Sequence, residues 1–147
     1  MNRKVRFRRL RPGAHPPVYA TPSAAGADLY VCMEEEVTLL PGETRPFGTG
    51  IGAEIPEGYV GLVYARSGLS CRQGLAPANK VGVIDSDYRG EITVYLYNHS
   101  PQPRTVKPGD RIAQLVITPF LHADFEEADT LSETERGEKG FGSTGRN

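Results

Sequence analysis

The sequence predicts an all-β domain, a jelly-roll-like barrel or sandwich with one short helix and a glycine-rich C-terminal arm. Three observations carry that expectation. Short runs rich in Val, Ile, Leu and Tyr recur along the chain, Gly and Pro punctuate them, and helical periodicity is almost absent. The cleanest run is "EITVYLYN", residues 91–98, in which Ile92, Val94 and Leu96 fall on one side and Thr93, Tyr95 and Tyr97 on the other.

The elements follow in order. "VRFRRL" opens the chain beside Arg3, Lys4 and Arg11. Its basic residues suit either an arm for nucleic acid or a strand. Val5 and Phe7 alternate with charges, which favours a strand with one solvated face. "ADLYVC", "EEVTLL", "TRPFGTG", "IGAEI" and "YVGLVYA" come next, and "KVGVI", "EITVYLYN", "RTVKPG" and "RIAQLVITPF" complete the set. Pro41-Gly42, Pro56-Glu57-Gly58, Asn98-His99-Ser100-Pro101 and Pro108-Gly109 mark turns. The helix starts at Ser67, an N-cap residue, and runs through "GLSCRQG" to Gly74. "NKVGVIDSDYRGEITVYLYN" reads as a hairpin with a wide polar turn. From about Ser132 the composition turns polar and glycine-rich, so residues 1–131 form the domain and 132–147 a mobile arm. No internal repeat is evident.

Composition bounds the function. The 147 residues suit one domain with a real core; 38% are hydrophobic and 24% charged, as in a soluble globular protein. A net charge of −1 gives no global drive towards nucleic acid or membrane. No apolar run is long enough to span a bilayer, and the basic start lacks the apolar stretch of a signal peptide. Cys32 and Cys71 stand far apart and read as free thiols of a reducing compartment, the cytoplasm. His15, His99 and His122 are scattered, with neither zinc-like spacing nor a Ser-His-Asp arrangement.

Several residues have the chemistry of a site. Arg66 and Ser67 lie where a strand gives way to the helix; they form either an ordinary cap beside a surface arginine or an anion site of amides and guanidinium. Asp85 and Asp87 share a face if the strand geometry persists, and serve either turn formation or, at Asp85, general-base chemistry. Tyr88 offers a flat surface to a sugar or base. Asp28 either pairs with a basic residue or holds a magnesium-bound water. Gln114, alone among apolar neighbours, is either satisfied internally or presented to a ligand. Gly140, Gly142 and Gly145 spell G-x-G-x-x-G, but only Arg146 and Asn147 follow, so the dinucleotide fingerprint fails for want of a helix. A disordered tail is the plain alternative; Phe141 among the glycines suits a segment closing over a planar, phosphorylated ligand.

Five segments, "AGADLY", "RSGLS", "GVIDSDYRGEI", "GDRIAQLVI" and "RGEKGFGSTG", resemble in order the five motifs of the homotrimeric dUTP diphosphatase (dUTPase) family, from about Ala24 to the C-terminus. The resemblance implies a jelly-roll subunit, a threefold trimer with sites at subunit interfaces, and hydrolysis of dUTP to dUMP and pyrophosphate with magnesium on the triphosphate. That activity limits uracil incorporation into DNA and supplies dUMP for thymidylate synthesis. Asp85 matches the catalytic aspartate that aims water at the α-phosphorus. Tyr88 would stack under the deoxyribose and exclude a 2′-hydroxyl. The backbone near Val83, Ile84 and Thr93, with the Asn79 side chain, would read uracil. Arg66, Ser67, Gly68 and Gln114 would hold phosphates, and Asp28 would reach the metal only through water. The arm would close a neighbouring subunit's site, with Phe141 over the uracil and Arg136, Gly142, Ser143 and Thr144 around the phosphates. Ala78 and Lys80 depart from the expected small or apolar neighbours of Asn79, and flank the site. The alternatives are a dCTP deaminase of the same fold, a nucleotide-binding regulatory protein without turnover, and a jelly-roll interaction module with an idle arm. Neither nucleic acid nor membrane is an expected partner.

Overall fold

The computed structural model describes residues 3–140. In chain order its elements are β1 (Arg6–Arg9), β2 (Val18–Tyr19), β3 (Ala27–Tyr30), β4 (Val37–Leu39), β5 (Thr44–Gly48), β6 (Ile51–Glu54), β7 (Tyr59–Tyr64), a short helix α1 (Gly68–Gln73), β8 (Leu75–Pro77), β9 (Val81–Ile84), β10 (Thr93–Asn98), β11 (Arg104–Val106) and β12 (Arg111–Pro119). The largest sheet has the order β2-β3-β12-β7-β9. A three-stranded sheet, β5-β10-β8, and the pairs β1-β6 and β4-β11 complete a jelly-roll-like β fold.

Strand alternation determines what the sheets bury. Ile92, Val94 and Leu96 point inward while Thr93 and Tyr95 stay exposed, as the spacing predicts. Leu29, Leu39, Ile55, Leu75, Leu96 and Ile112 are fully buried in a shared core. Burying a side chain of this size is worth about 1.5–3 kcal/mol. Gly61 on β7 is required by this packing: a Cβ there would lie 2.6 Å from Ile55 Cδ1 and 3.2 Å from Leu115 Cδ1. Asn98 is a buried polar hub. Its amide nitrogen donates to the Leu39 and Gln102 carbonyls, and its Oδ1 accepts from Ser100. Every demand of this buried group is therefore met.

Four sequence expectations change. First, β9 and β10 are not each other's partners. β9 pairs with β7 and β10 with β5 and β8, so the expected hairpin is a splayed crossover between two sheets. Second, Ser67 does not cap α1 through its side chain. Its backbone is already helical (φ −54°, ψ −44°), whereas a capping serine sits outside the helix. The helix is wound more widely than an α-helix and ends at Gly74, whose φ of +73° lets its N–H reach the Leu69 and Ser70 carbonyls. Third, β1 forms on β6 but buries neither face in the single chain; Phe7 is 49% exposed, while β6 beside it buries Ile51 and Ala53. Fourth, β2 and β8 are additional strands. They are two and three residues long, too short for alternation to register.

Candidate functional site

Where β9 and β10 part, a cleft of about 450 Å³ opens, lined by Asn79, Val83, Ile84, Asp85, Tyr88 and Thr93 among others. β9 is the edge strand of its sheet, and β8 covers β10 only from Leu96 to Asn98. The cleft therefore has a strand edge on each wall, with backbone donors and acceptors not used by a ladder between them. Such edges present a flat, directional array suited to the rim of a planar heterocycle. Six of the seven residues assigned from sequence to base, sugar and catalysis lie here; the seventh, Phe141, lies outside the described residues.

Asp85 sits exposed at the end of β9, and among the described residues no side chain pairs with its carboxylate. Its carbonyl accepts the Tyr88 N–H at 3.2 Å, which closes the turn. The Tyr88 hydroxyl donates to the Glu91 carbonyl at 2.8 Å and fixes the ring across the turn. Gly90 makes room for that ring: a Cβ there would fall 2.5 Å from the Tyr88 hydroxyl and 2.6 Å from Cζ. Arg89 braces the same turn through the Ser86 and Tyr88 carbonyls. Asp87 faces away, towards Lys4, Arg6 and Arg89, so the two aspartates do not share a site. On the approach to β9, Lys80 adopts a left-handed backbone (φ 65°), which turns the chain just after Asn79.

A second cleft, about 320 Å³, collects Arg66, Gly68, Arg72 and Arg111 beside Asp110. Two of its arginines, Arg66 and Arg111, are organised by Asp28, which is 7% exposed. Asp28 Oδ1 accepts from Arg66 Nε at 2.7 Å and Oδ2 from Arg111 Nη1 at 3.2 Å. β12 brings Gln114 opposite Asp28 on one side and Tyr64 on the other. The Gln114 amide nitrogen donates to the Ala65 carbonyl at 2.8 Å, so this donor is satisfied internally while it steadies the residue before Arg66. Ser67 is exposed beside this cleft. Asp28 thus has the basic partners that one of its two sequence readings expects. Among the described residues no group of three or more His, Cys, Asp or Glu is placed to hold a metal ion. The described residues thus present no donor set for a resident metal ion.

The two clefts are lined by separate sets of residues, so one chain does not gather all the predicted site residues around one cavity. Arg136 is exposed, its Nε donating to the Lys139 carbonyl at 2.9 Å. Phe141, Gly142, Ser143 and Thr144 lie outside the described residues. Sequence reasoning did not single out Arg72, Arg89, Glu91 or Arg111. An arginine or glutamate in a polar segment carries no pattern that separates a structural partner from a solvated charge.

Comparison with known proteins agrees with this architecture. The dUTPase family model matches residues 13–145. The chain is 51% identical over 145 residues to a deoxyuridine 5′-triphosphate nucleotidohydrolase of Desulfitobacterium hafniense, covering 97% of this chain and 96% of that one. The dUTPase of Staphylococcus bacteriophage 80alpha, solved with dUpNHpp, superimposes with a TM-score of 0.89 at 29% identity, covering 99% and 100% of the two chains. A mutant dUTPase from phage phi11 of S. aureus, whose structure concerns the coordination of a structural Mg(II) ion, gives 0.80 at 25% identity, covering 89% and 100%. On sequence and fold together, this chain belongs to the dUTPase family.

Proposed function

We propose that the chain hydrolyses dUTP to dUMP and pyrophosphate by attack of water on the α-phosphorus. The single observation that carries the reading is the cleft between the parted edges of β9 and β10, with an unpaired Asp85 carboxylate at its mouth and Tyr88 beside it. Uracil enters edge-on. The backbone near Val83, Ile84 and Thr93 and the Asn79 side chain meet its polar rim, and the narrow gap rejects a 5-methyl group. Tyr88 lies against the deoxyribose and leaves no space for a 2′-hydroxyl. Asp85 orients a water and accepts its proton as the new oxygen–phosphorus bond forms. The bond from the α-phosphorus to the bridging oxygen breaks, and the electron pair leaves with pyrophosphate.

Charge is neutralised by the second cleft. Arg66, held by Asp28, acts with Ser67, Gly68 and the second amide proton of Gln114 on the phosphates. Magnesium on the triphosphate would lower its charge repulsion, and Asp28 would hold it only through water, with lone pairs not used by the two arginines.

Because the two clefts are separate on one chain, we place the complete site between copies in a homotrimer. Support comes from residues 120–131, where Phe120, Leu121, Phe125 and Leu131 are 47%, 89%, 99% and 88% exposed in the single chain. Apolar exposure of that extent suits a segment that covers a neighbour. Residues 132–147 then close the neighbour's site, with Phe141 over the base and Arg136, Gly142, Ser143 and Thr144 at the phosphates. Among the described residues no helix is long and apolar enough to cross a membrane. We place the chain in the cytoplasm, where Cys32 and Cys71, both unbridged, stay reduced.

A deaminase reading needs a glutamate free to move protons at a cytosine ring. The cleft-facing positions of β10 are Thr93 and Tyr95, and the Glu91 carboxylate is engaged by Arg11 and the Gly50 N–H. The test is pyrophosphate release from dUTP, dCTP, dTTP and UTP. Release from dUTP alone supports the proposal, ammonia from dCTP supports the deaminase, and no turnover of any supports a binding protein.

A further inference from the structure

β9 and β10 share no ladder, so something else must hold residues 85–92 in place. On the far side of the turn the answer is a set of contacts to Arg11, after β1, and to residues 49–51, where β5 gives way to β6. Glu91 pairs with Arg11 and accepts the Gly50 N–H at 2.6 Å. Ile92 exchanges backbone hydrogen bonds with this segment: its carbonyl accepts the Thr49 N–H at 3.1 Å, and its N–H donates to the Ile51 carbonyl at 2.8 Å. The Arg11–Glu91 pair lies directly over Gly48, where a Cβ would fall 2.5 Å from Arg11 Nη2 and 3.0 Å from Glu91 Cδ. From the same Glu91, the backbone carbonyl anchors the Tyr88 hydroxyl.

Resting on the function proposed above, we infer that Arg11 and Glu91 are positioning residues that set where the Tyr88 ring stands, and so govern discrimination between deoxyribose and ribose. An ion pair with side chains 45% and 30% exposed adds little stability. Its value is geometric. The Glu91 carboxylate is held by two donors from different segments, and its main chain carries the acceptor that orients the ring. A small outward shift of Glu91 tilts Tyr88 away from the sugar and opens the space a 2′-hydroxyl needs.

The experiment uses the full chain and measures kcat and KM separately for dUTP and UTP, in wild type, Arg11→Ala, Arg11→Lys, Glu91→Gln, Tyr88→Phe and the Arg11→Ala/Tyr88→Phe double variant. Arg11→Ala is expected to lower the dUTP-to-UTP ratio of kcat/KM about tenfold, mainly through KM, with kcat for dUTP within about twofold. Glu91→Gln moves the ratio in the same direction, and Arg11→Lys recovers part of it, since lysine keeps the charge without the fork. The double variant is no worse than its worse parent, because both changes release the same ring. A thermal melt identifies any variant that fails to fold; Arg11→Lys and Glu91→Gln then carry the test. Unchanged ratios in an active enzyme, or fully multiplicative effects in the double variant, overturn the inference alone. A wild type that does not turn over dUTP overturns the proposed function and this inference with it.

Discussion

Asp28 accepts a hydrogen bond from Arg66 at one carboxylate oxygen and from Arg111 at the other, so a single buried anion aligns two cations from β12 and the segment after β7. Removing it leaves two guanidinium groups close together without a counter-charge. Asp28→Ala is expected to cost about 1–3 kcal/mol of stability, below the range for fully buried pairs because both arginines reach solvent. It is also expected to raise KM for dUTP. Denaturant unfolding and steady-state kinetics check both effects; a variant with unchanged midpoint and KM contradicts this account of the pair.

Asp85→Asn removes the proton acceptor and keeps the shape. The expected outcome is a fall in kcat of about a hundredfold or more, with nucleotide affinity changed only modestly. Calorimetric titration with a non-hydrolysable analogue, set beside pyrophosphate release, separates the two. Comparable hydrolysis by the variant would remove Asp85 from its role.

Gly90→Ala places a methyl group where the Tyr88 ring lies, since the nearest atoms are 2.5 and 2.6 Å from the new Cβ. The ring is on the surface and can swing, so the fold survives. Sugar discrimination is expected to fall about tenfold, by the same route as loss of a positioning contact. Equal dUTP-to-UTP ratios in wild type and variant would show that the ring does not define the sugar site.

Deleting the chain after Glu135 leaves the described sheets intact, because the last strand ends at Pro119. A folded trimer with at least about tenfold lower kcat/KM is expected, in keeping with the loss of a closing segment. Light scattering reports the assembly and a coupled assay the rate. Full activity in the truncated form contradicts a closing role for residues 136–147.

Glu43 supplies a pH prediction. The Leu40 N–H at 2.8 Å, and then Arg45 at 2.5 Å, hold its carboxyl below the ordinary glutamate value of 4.5. The folded form binds its proton more weakly than the unfolded form. Its stabilising contribution is therefore complete above the ordinary value and is lost as pH falls through the lowered one. The Tm of wild type is expected to exceed that of Glu43→Gln at neutral pH, and the gap should close on acidification. A gap that widens in acid contradicts the sign.

The strands were legible wherever alternation ran over four residues or more. "EITVYLYN" gave β10 with its inward face, and "RIAQLVITPF" gave β12 without one, since its buried positions do not alternate. Pairing was not legible: "KVGVI" and "EITVYLYN" read as partners because a polar turn joins them, yet each finds its partner elsewhere in the chain. Alternation reports which face of a strand is apolar and says nothing about what lies along its edge. The cleft residues Asp85 and Tyr88 stand in one of the five ordered motifs, and Asn79 was assigned from the resemblance just ahead of it. Arg11, Glu91 and Arg111 were not, because their importance arises from contacts 80, 80 and 83 positions away in sequence.

The parting of β9 from β10 makes the recognition gap a property of how the sheets stack. Its width is set from beneath, by inward-facing Ile84, Val94 and their neighbours in the core. Conservative swaps among those buried side chains, which leave every backbone group at the cleft in place, would therefore loosen or tighten the slot. Selectivity in such an enzyme would drift through changes ordinarily dismissed as affecting only the scaffold.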